Sequence, residues 1–150
     1  MADHKLLAGL GLEPIGNEFS GPQLQAVFKG RTGPVKNALL NQQLVAGIGN
    51  IYANEALFYA RISPRRKACS IRGQRAARLA NSIVTVLRAA IEDGGTSLRD
   101  HVQPGGEIGY FAQMLAVYGR TGKPCPVCAT PIKTLIQSGR SSFYCSRCQG

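Results

Sequence analysis

The chain has 150 residues, 44% of them hydrophobic and 17% charged, which suits one ordinary soluble domain or two small ones sharing a seam. No apolar run reaches the roughly 18–20 residues that span a bilayer, and the first residues lack a basic segment leading into a long apolar one, so the expectation is a cytoplasmic protein with no membrane partner. Eighteen Lys and Arg against eight Asp and Glu give a net charge of +10, a balance that suits a polyanion such as nucleic acid, the plainer reading being a basic solvated surface.

Residues 1–19 are Gly-rich and mixed, and read as the remnant of a linker. Ser20-Gly-Pro-Gln23 reads as a helix start, with Ser20 as cap, Pro22 in the first turn and Gln23 completing a capping box. That helix is expected to reach about Lys29 and stop at Gly30. Gly33-Pro34 opens a second helix, about Val35 to Gln42. Gly47 and Gly49 make Leu44 to Gly49 a turn region, and a third helix runs from near Asn50 to about Tyr59. Pro64 punctuates the next connection. Arg72 to Asp93 carries the clearest helical period, with Ala76, Leu79, Ile83, Leu87 and Ala90 on one stripe and Arg75, Arg78 and Arg88 outside it. From Arg61 to Arg88 there are eight basic residues and no acid. Residues 96–113 form a polar, Gly-rich loop. From about Leu115 the sequence is short, β-type and organised around cysteines.

Cys125, Cys128, Cys145 and Cys148 form a C-x2-C-x16-C-x2-C pattern. Each C-x2-C hairpin can present two sulfurs to one tetrahedral ion, and two hairpins close the shell. A closed shell leaves no open coordination position, so one structural Zn²⁺ is expected, helping to fold a short segment. Disulfides are disfavoured in a reducing cytosol, and a redox C-x-x-C would need only one hairpin. Cys69 stands apart and reads as a half-buried free thiol. Between the hairpins, Ser138-Gly139 reads as a β-turn that puts Arg140 at or near a hairpin tip. A metal-pinned hairpin holding an arginine outward is a good phosphate probe, although a solvated surface role is the default for any one arginine.

Gly47 and Gly49 permit tight or left-handed backbone and close approach by another chain. Asn50 then begins a helix, where free N–H groups and the dipole favour an anion. An Asn cap after a Gly turn explains the short string equally well.

Taken together, Lys36, Leu39-Leu-Asn-Gln42, Val45-Ala-Gly-Ile-Gly-Asn-Ile-Tyr52 and Glu55-Ala-Leu-Phe58 resemble the helix–two-turn–helix signature of the formamidopyrimidine-DNA glycosylase and endonuclease VIII family. Gly94 to Asp100, Tyr118 to Cys125 and Gly139 to Gln149 resemble the family's later segments, with order and spacing intact over residues 7–149. Gly109-Tyr-Phe-Ala-Gln113 favours the formamidopyrimidine branch. The resemblance implies a mainly helical fold with a small β zinc ribbon: linker remnant 1–19, helix–two-turn–helix domain 20–114, zinc finger 115–150. It implies that Lys36 and Asn50, with the Gly47–Gly49 turn, bind phosphates of duplex DNA flanking a lesion, and that Arg140 clamps the backbone from the zinc finger. Arg99, Gly105, Gly106 and Gly109 would belong to a loop that closes over a flipped oxidised purine.

The family's enzymes begin Met-Pro-Glu, the proline being the nucleophile and the glutamate an acid/base group on an N-terminal β-sandwich. This sequence begins Met1-Ala2-Asp3. The expectation is therefore a DNA-binding half of a base-excision-repair glycosylase and abasic-site lyase, inactive alone. One alternative is activity together with a separately encoded or missing N-terminal half. A remote one is a zinc-ribbon protein–protein adaptor. Leu6, Leu7, Leu10 and Leu12 are expected to leave apolar surface exposed at that seam.

Overall fold

The computed structural model describes residues 11–14, 19–92 and 115–150. Helix α1 covers Gly21–Phe28, with Pro22 in its first turn. Ser20 precedes it in extended conformation, but its side chain makes no cap hydrogen bond, so the expected capping box does not form. The reason for Gly21 is tertiary. A Cβ there would lie 2.9 Å from the Ala77 backbone, so the glycine lets α1 press onto the long helix.

Helix α2, Val35–Leu40, is shorter than its sequence pattern. The chain leaves the helix at Asn41, whose Oδ1 accepts from the Gln43 backbone N–H at 2.9 Å, and this local bond competes with continued helix. Gln42 then folds back, its Oε1 accepting from Gly47 N–H at 2.7 Å. Helix α3, Asn50–Ala60, ends at Arg61, which adopts the left-handed conformation. A 3-10 turn over Ala68–Ser70, unmarked in the sequence pattern, carries Cys69, which is half-buried as expected. Helix α4, Gln74–Glu92, is the long amphipathic one.

The core is built where the stripe of α4 meets α1 and α3. Leu24, Phe28, Leu39, Leu57, Ile62, Leu79 and Ile83 are fully or nearly fully buried there. Arg78, outside the apolar stripe, donates from Nε to the carbonyl of Ala60 at 3.1 Å and satisfies the C-terminal end of α3. Strands β1 (Lys133–Gln137) and β2 (Arg140–Tyr144) pair antiparallel. Ser138 and Gly139 both have positive φ, the requirement of a two-residue hairpin turn whose twist matches the strands. The molecule is thus mainly helical with one small hairpin beside a four-cysteine cluster.

A second apolar cluster joins Phe58 of α3 to Ala116, Val117, Cys125, Ile132 and Cys145. One face of α3 therefore serves the helical core and another the cysteine-rich segment. At the amino-terminal side, Leu12 pairs with Val45 as a parallel bridge, and Leu12 and Ala46 exchange backbone bonds with Leu44 and Leu12 at 2.9 and 2.8 Å. Gly11 lies so close to Leu44 that no side chain would fit. Part of the segment read as a linker is therefore paired to the turn between α2 and α3, and Leu12 is half-buried rather than exposed. Leu6, Leu7 and Leu10 lie outside the described residues. Among the described residues no helix is long and apolar enough to cross a membrane.

Candidate functional site

The four cysteine sulfurs lie within 4.8 Å of one another. Cys128 approaches Cys145 at 3.5 Å and Cys148 at 3.6 Å, and Cys125 approaches Cys148 at 3.9 Å. Zinc–sulfur bonds of about 2.3 Å in a tetrahedron put sulfurs about 3.8 Å apart, so the donor set fits one zinc ion. Backbone N–H groups of Val127 and Cys148 point at the Cys125 and Cys145 sulfurs at 3.3 Å each, a feature that favours thiolate. Without a cation the cluster resists sharing negative charge: burial and the neighbouring sulfurs push the Cys148 thiol up to about 12, while Thr130 draws Cys128 down to about 6. A divalent ion removes that conflict. The zinc expected from the cysteine spacing thus has its four ligands in place.

The second group of residues gathers at the outer edge of β2, where the hairpin lies against the starts of α2 and α3. Lys36, second residue of α2, has no solvent-exposed surface. Its Nζ donates to the backbone carbonyl of Ser141 at 3.1 Å. Asn50, first residue of α3, donates from Nδ2 to that same carbonyl at 3.1 Å. The helix cap is Gly49, so the Asn-cap reading of the sequence does not hold; the Asn50 side chain reaches across to the hairpin instead. Its Oδ1 is buried and meets no donor among the described residues. Burial, and then the positive charge of Arg140, bring the Lys36 ammonium down to about 8.

Arg140 is exposed and pairs with Gln137 directly after the turn, so it sits at the base of the hairpin tip. Gly47 has a φ of 85°, which only glycine adopts at low cost, whereas Gly49 at −91° would accept any residue. A Cβ at either position would meet open space, so nothing among the described residues fills that turn's outer face. Arg99, Gly105, Gly106 and Gly109 lie outside the described residues.

Sequence reasoning missed the residues that hold this arrangement together. Asn54 is buried on α3; its Oδ1 accepts from Phe143 N–H at 2.7 Å, and its Nδ2 donates to Asn50 O at 2.9 Å and faces Ser141 O at 3.4 Å. Glu55, also buried, accepts three backbone N–H bonds, from Ala116 at 2.8 Å, Val117 at 2.9 Å and Tyr118 at 3.0 Å. Gln149 accepts from Cys145 N–H at 2.8 Å and donates to Ile62 O at 2.9 Å. Gln137 donates to Pro64 O at 3.2 Å, and Asn37 to the Ser138 hydroxyl at 2.9 Å. A signal existed for two of these: Asn54 and Glu55 are polar residues flanked on both sides by Ile51-Tyr-Ala53 and Ala56-Leu-Phe58, apolar all round, and a polar group on a buried helix needs a partner.

Two known families match. One, described as the formamidopyrimidine-DNA glycosylase H2TH domain, covers residues 10–102. The other, a zinc finger found in FPG and IleRS, covers residues 122–150. The formamidopyrimidine-DNA glycosylase of Gluconobacter oxydans is 50% identical over 148 residues, covering 97% of this chain and 53% of that protein. The solved structure of the MutM (Fpg) protein of Thermus thermophilus is similar with a TM-score of 0.83 and 42% identity, over 99% of this chain and 56% of that one. A complex between the Lactococcus lactis Fpg and DNA containing an abasic site matches with a TM-score of 0.85 and 32% identity, over 99% of this chain and 54% of that one. The chain spans about half the length of the curated relatives it matches.

Proposed function

Because this chain belongs to the formamidopyrimidine-DNA glycosylase H2TH family, we propose that it holds duplex DNA by its phosphates as the DNA-binding part of a cytoplasmic base-excision-repair glycosylase and abasic-site lyase acting on oxidised purines. The observation that carries the reading is the pairing of a buried lysine with a half-buried asparagine on one hairpin carbonyl, beside an exposed arginine. A buried ammonium with three donors and a single acceptor among the described residues is short of negative partners. A phosphate oxygen would supply them. Asn50 and Arg140 would flank that phosphate, and the open face of the Gly47–Gly49 turn would let the DNA backbone approach. The Lactococcus lactis relative, in complex with DNA, supports the partner assignment.

Bond cleavage is assigned to groups other than these. Removing a base needs a nucleophile at C1′ and an acid to assist the leaving group, held in fixed geometry. The Lys36 amine is instead enclosed and bonded to a carbonyl. The division of labour within residues 20–114 and 115–150 is then a phosphate clamp whose donors come from both parts.

Binding to a labelled duplex across a salt series tests this. Affinity should fall steeply with salt, and Lys36→Ala or Arg140→Ala should each lower the slope by about one unit on every sequence alike. The 150-residue polypeptide should release no oxidised purine, and borohydride should trap it on abasic DNA weakly at most. Salt-independent binding, or base release at an enzyme-like rate, would refute the reading.

A further inference from the structure

The hairpin turn is closed by Gln137 and Arg140. In an antiparallel pair, hydrogen-bonded and non-hydrogen-bonded partners alternate, so Ser141 and Phe143 turn their backbone groups away from β1. Such an edge needs partners. Asn54 supplies them. A primary amide carries donor and acceptor side by side, as a peptide group does. The Asn54 acceptor takes Phe143 N–H at 2.7 Å, and its donor faces Ser141 O at 3.4 Å while bonding Asn50 O at 2.9 Å. One side chain, 1% exposed, thus touches the hairpin edge and the backbone of Asn50 together.

We propose that Asn54 is a positioning residue that docks the hairpin edge on α3 and thereby sets the Ser141 carbonyl and Arg140 in register with Lys36 and Asn50. The role goes beyond general adhesion, because the rest of the cysteine-rich segment is tied down independently. Glu55 holds residues 116–118, and Gln149 links Cys145 to Ile62. Gln137 secures the end of β1 to Pro64. Losing Asn54 leaves those ties and the Lys36 and Asn50 bonds to the Ser141 carbonyl in place, but takes the partner from Phe143 N–H and loosens the edge that carries Arg140. This deepens the proposed DNA-binding reading and rests on it.

The test measures duplex binding over a salt series for the wild-type chain, Asn54→Ala, Arg140→Ala and the double variant, each with zinc content and helical circular dichroism. Asn54→Ala removes no charge, yet it is expected to weaken binding about tenfold and to lower the salt slope by about one unit, because Arg140 no longer reaches its phosphate. Adding Arg140→Ala to Asn54→Ala is then expected to cost less than about twofold more. A merely destabilising change would scale binding at every salt and leave the slope intact. An unchanged slope, or additive losses in the double variant, overturns the proposal while leaving the DNA-binding reading standing. Salt-independent binding by the wild-type chain defeats that reading instead. Should Asn54→Ala fail to fold, hydrogen exchange in the wild-type chain decides. The Phe143 amide should exchange as slowly as amides within α3, and far more slowly than the Ser141 amide on the same edge; equal rates overturn the proposal.

Discussion

The ammonium of Lys36 and the backbone carbonyl of Ser141, 105 residues further along the chain, meet at 3.1 Å. The bond joins the helical part of the molecule to the cysteine-pinned hairpin through the two ends of the sequence. Asn50 and Asn54 point donors at the same oxygen. The carbonyl therefore keeps partners if any one of the three side chains is lost, which makes Lys36 dispensable for the fold.

That redundancy leads to an expectation for Lys36→Met. Replacing a buried charge by an apolar chain of similar length is often neutral or stabilising. The Lys36 ammonium falls from its ordinary 10.5 to about 8 on folding. Between those values the unfolded chain keeps a proton that the folded chain has released, so this group makes stability rise with pH from about 8 to about 10.5. Below about 8 the cost of the buried charge is fully present. Lys36→Met should therefore raise Tm at pH 7 by roughly 2–4 °C, about 1 kcal/mol, and the gain should shrink toward pH 10. Affinity for duplex DNA should fall at the same time. In the wild-type chain a bound phosphate favours the charged amine, so binding near pH 8.5 should take up protons, measurable by calorimetry in buffers of different ionisation enthalpy. Lys36→Met should abolish that uptake.

Removing the metal should act on a different part of the molecule. Cys148→Ser leaves three thiolates, and chelation leaves none with a partner. Purified wild-type chain is expected to contain close to one zinc per chain, and the variant much less. The hairpin amides of β1 and β2 should lose exchange protection, while α1 and α4, whose core does not use the cysteines, keep theirs. A metal-free chain with an unchanged hairpin would contradict the structural role of zinc.

Glu55 offers a sharper stability probe. Its two oxygens accept three N–H groups, from Ala116, Val117 and Tyr118. Glu55→Ala leaves three donors unsatisfied at a buried seam, at roughly 1–3 kcal/mol each, and should cost at least about 3 kcal/mol in a urea melt. Glu55→Gln should be nearly as damaging, because its NH2 group turns donors toward donors. A neutral Glu55→Gln would show that a single oxygen suffices.

Gly47 and Gly49 should separate turn geometry from ligand approach. Gly47→Ala places a Cβ at a φ of 85° and should cost about 1–2 kcal/mol of stability. Gly49→Ala sits at −91° in open space and should leave the melting curve unchanged. If DNA comes close at this turn, Gly49→Ala should still weaken binding. Equal affinity for wild type and Gly49→Ala would remove Gly49 from the interface.

The sequence by itself determined the parts that depend on local spacing. Four cysteines in two C-x2-C pairs dictate a tetrahedral sulfur site, because the pairs can reach one ion with little else specified. The period from Ala76 to Ala90 dictates the long helix, because one face must be buried. Positive φ at Ser138 and Gly139 follows from a two-residue turn between strands. Lys36, Asn50 and Arg140 could be named from a family pattern, but not placed. Only the tertiary structure decided that two of them share the Ser141 carbonyl and that the third faces Lys36. The same holds for Asn54 and Glu55, whose partners lie about 60 to 90 residues away. Long-range hydrogen bonds between a side chain and a backbone atom leave no periodic trace in a sequence, since any residue's backbone can supply the partner. They are fixed only when packing brings the two segments together, as Phe58 and the cysteine cluster do here.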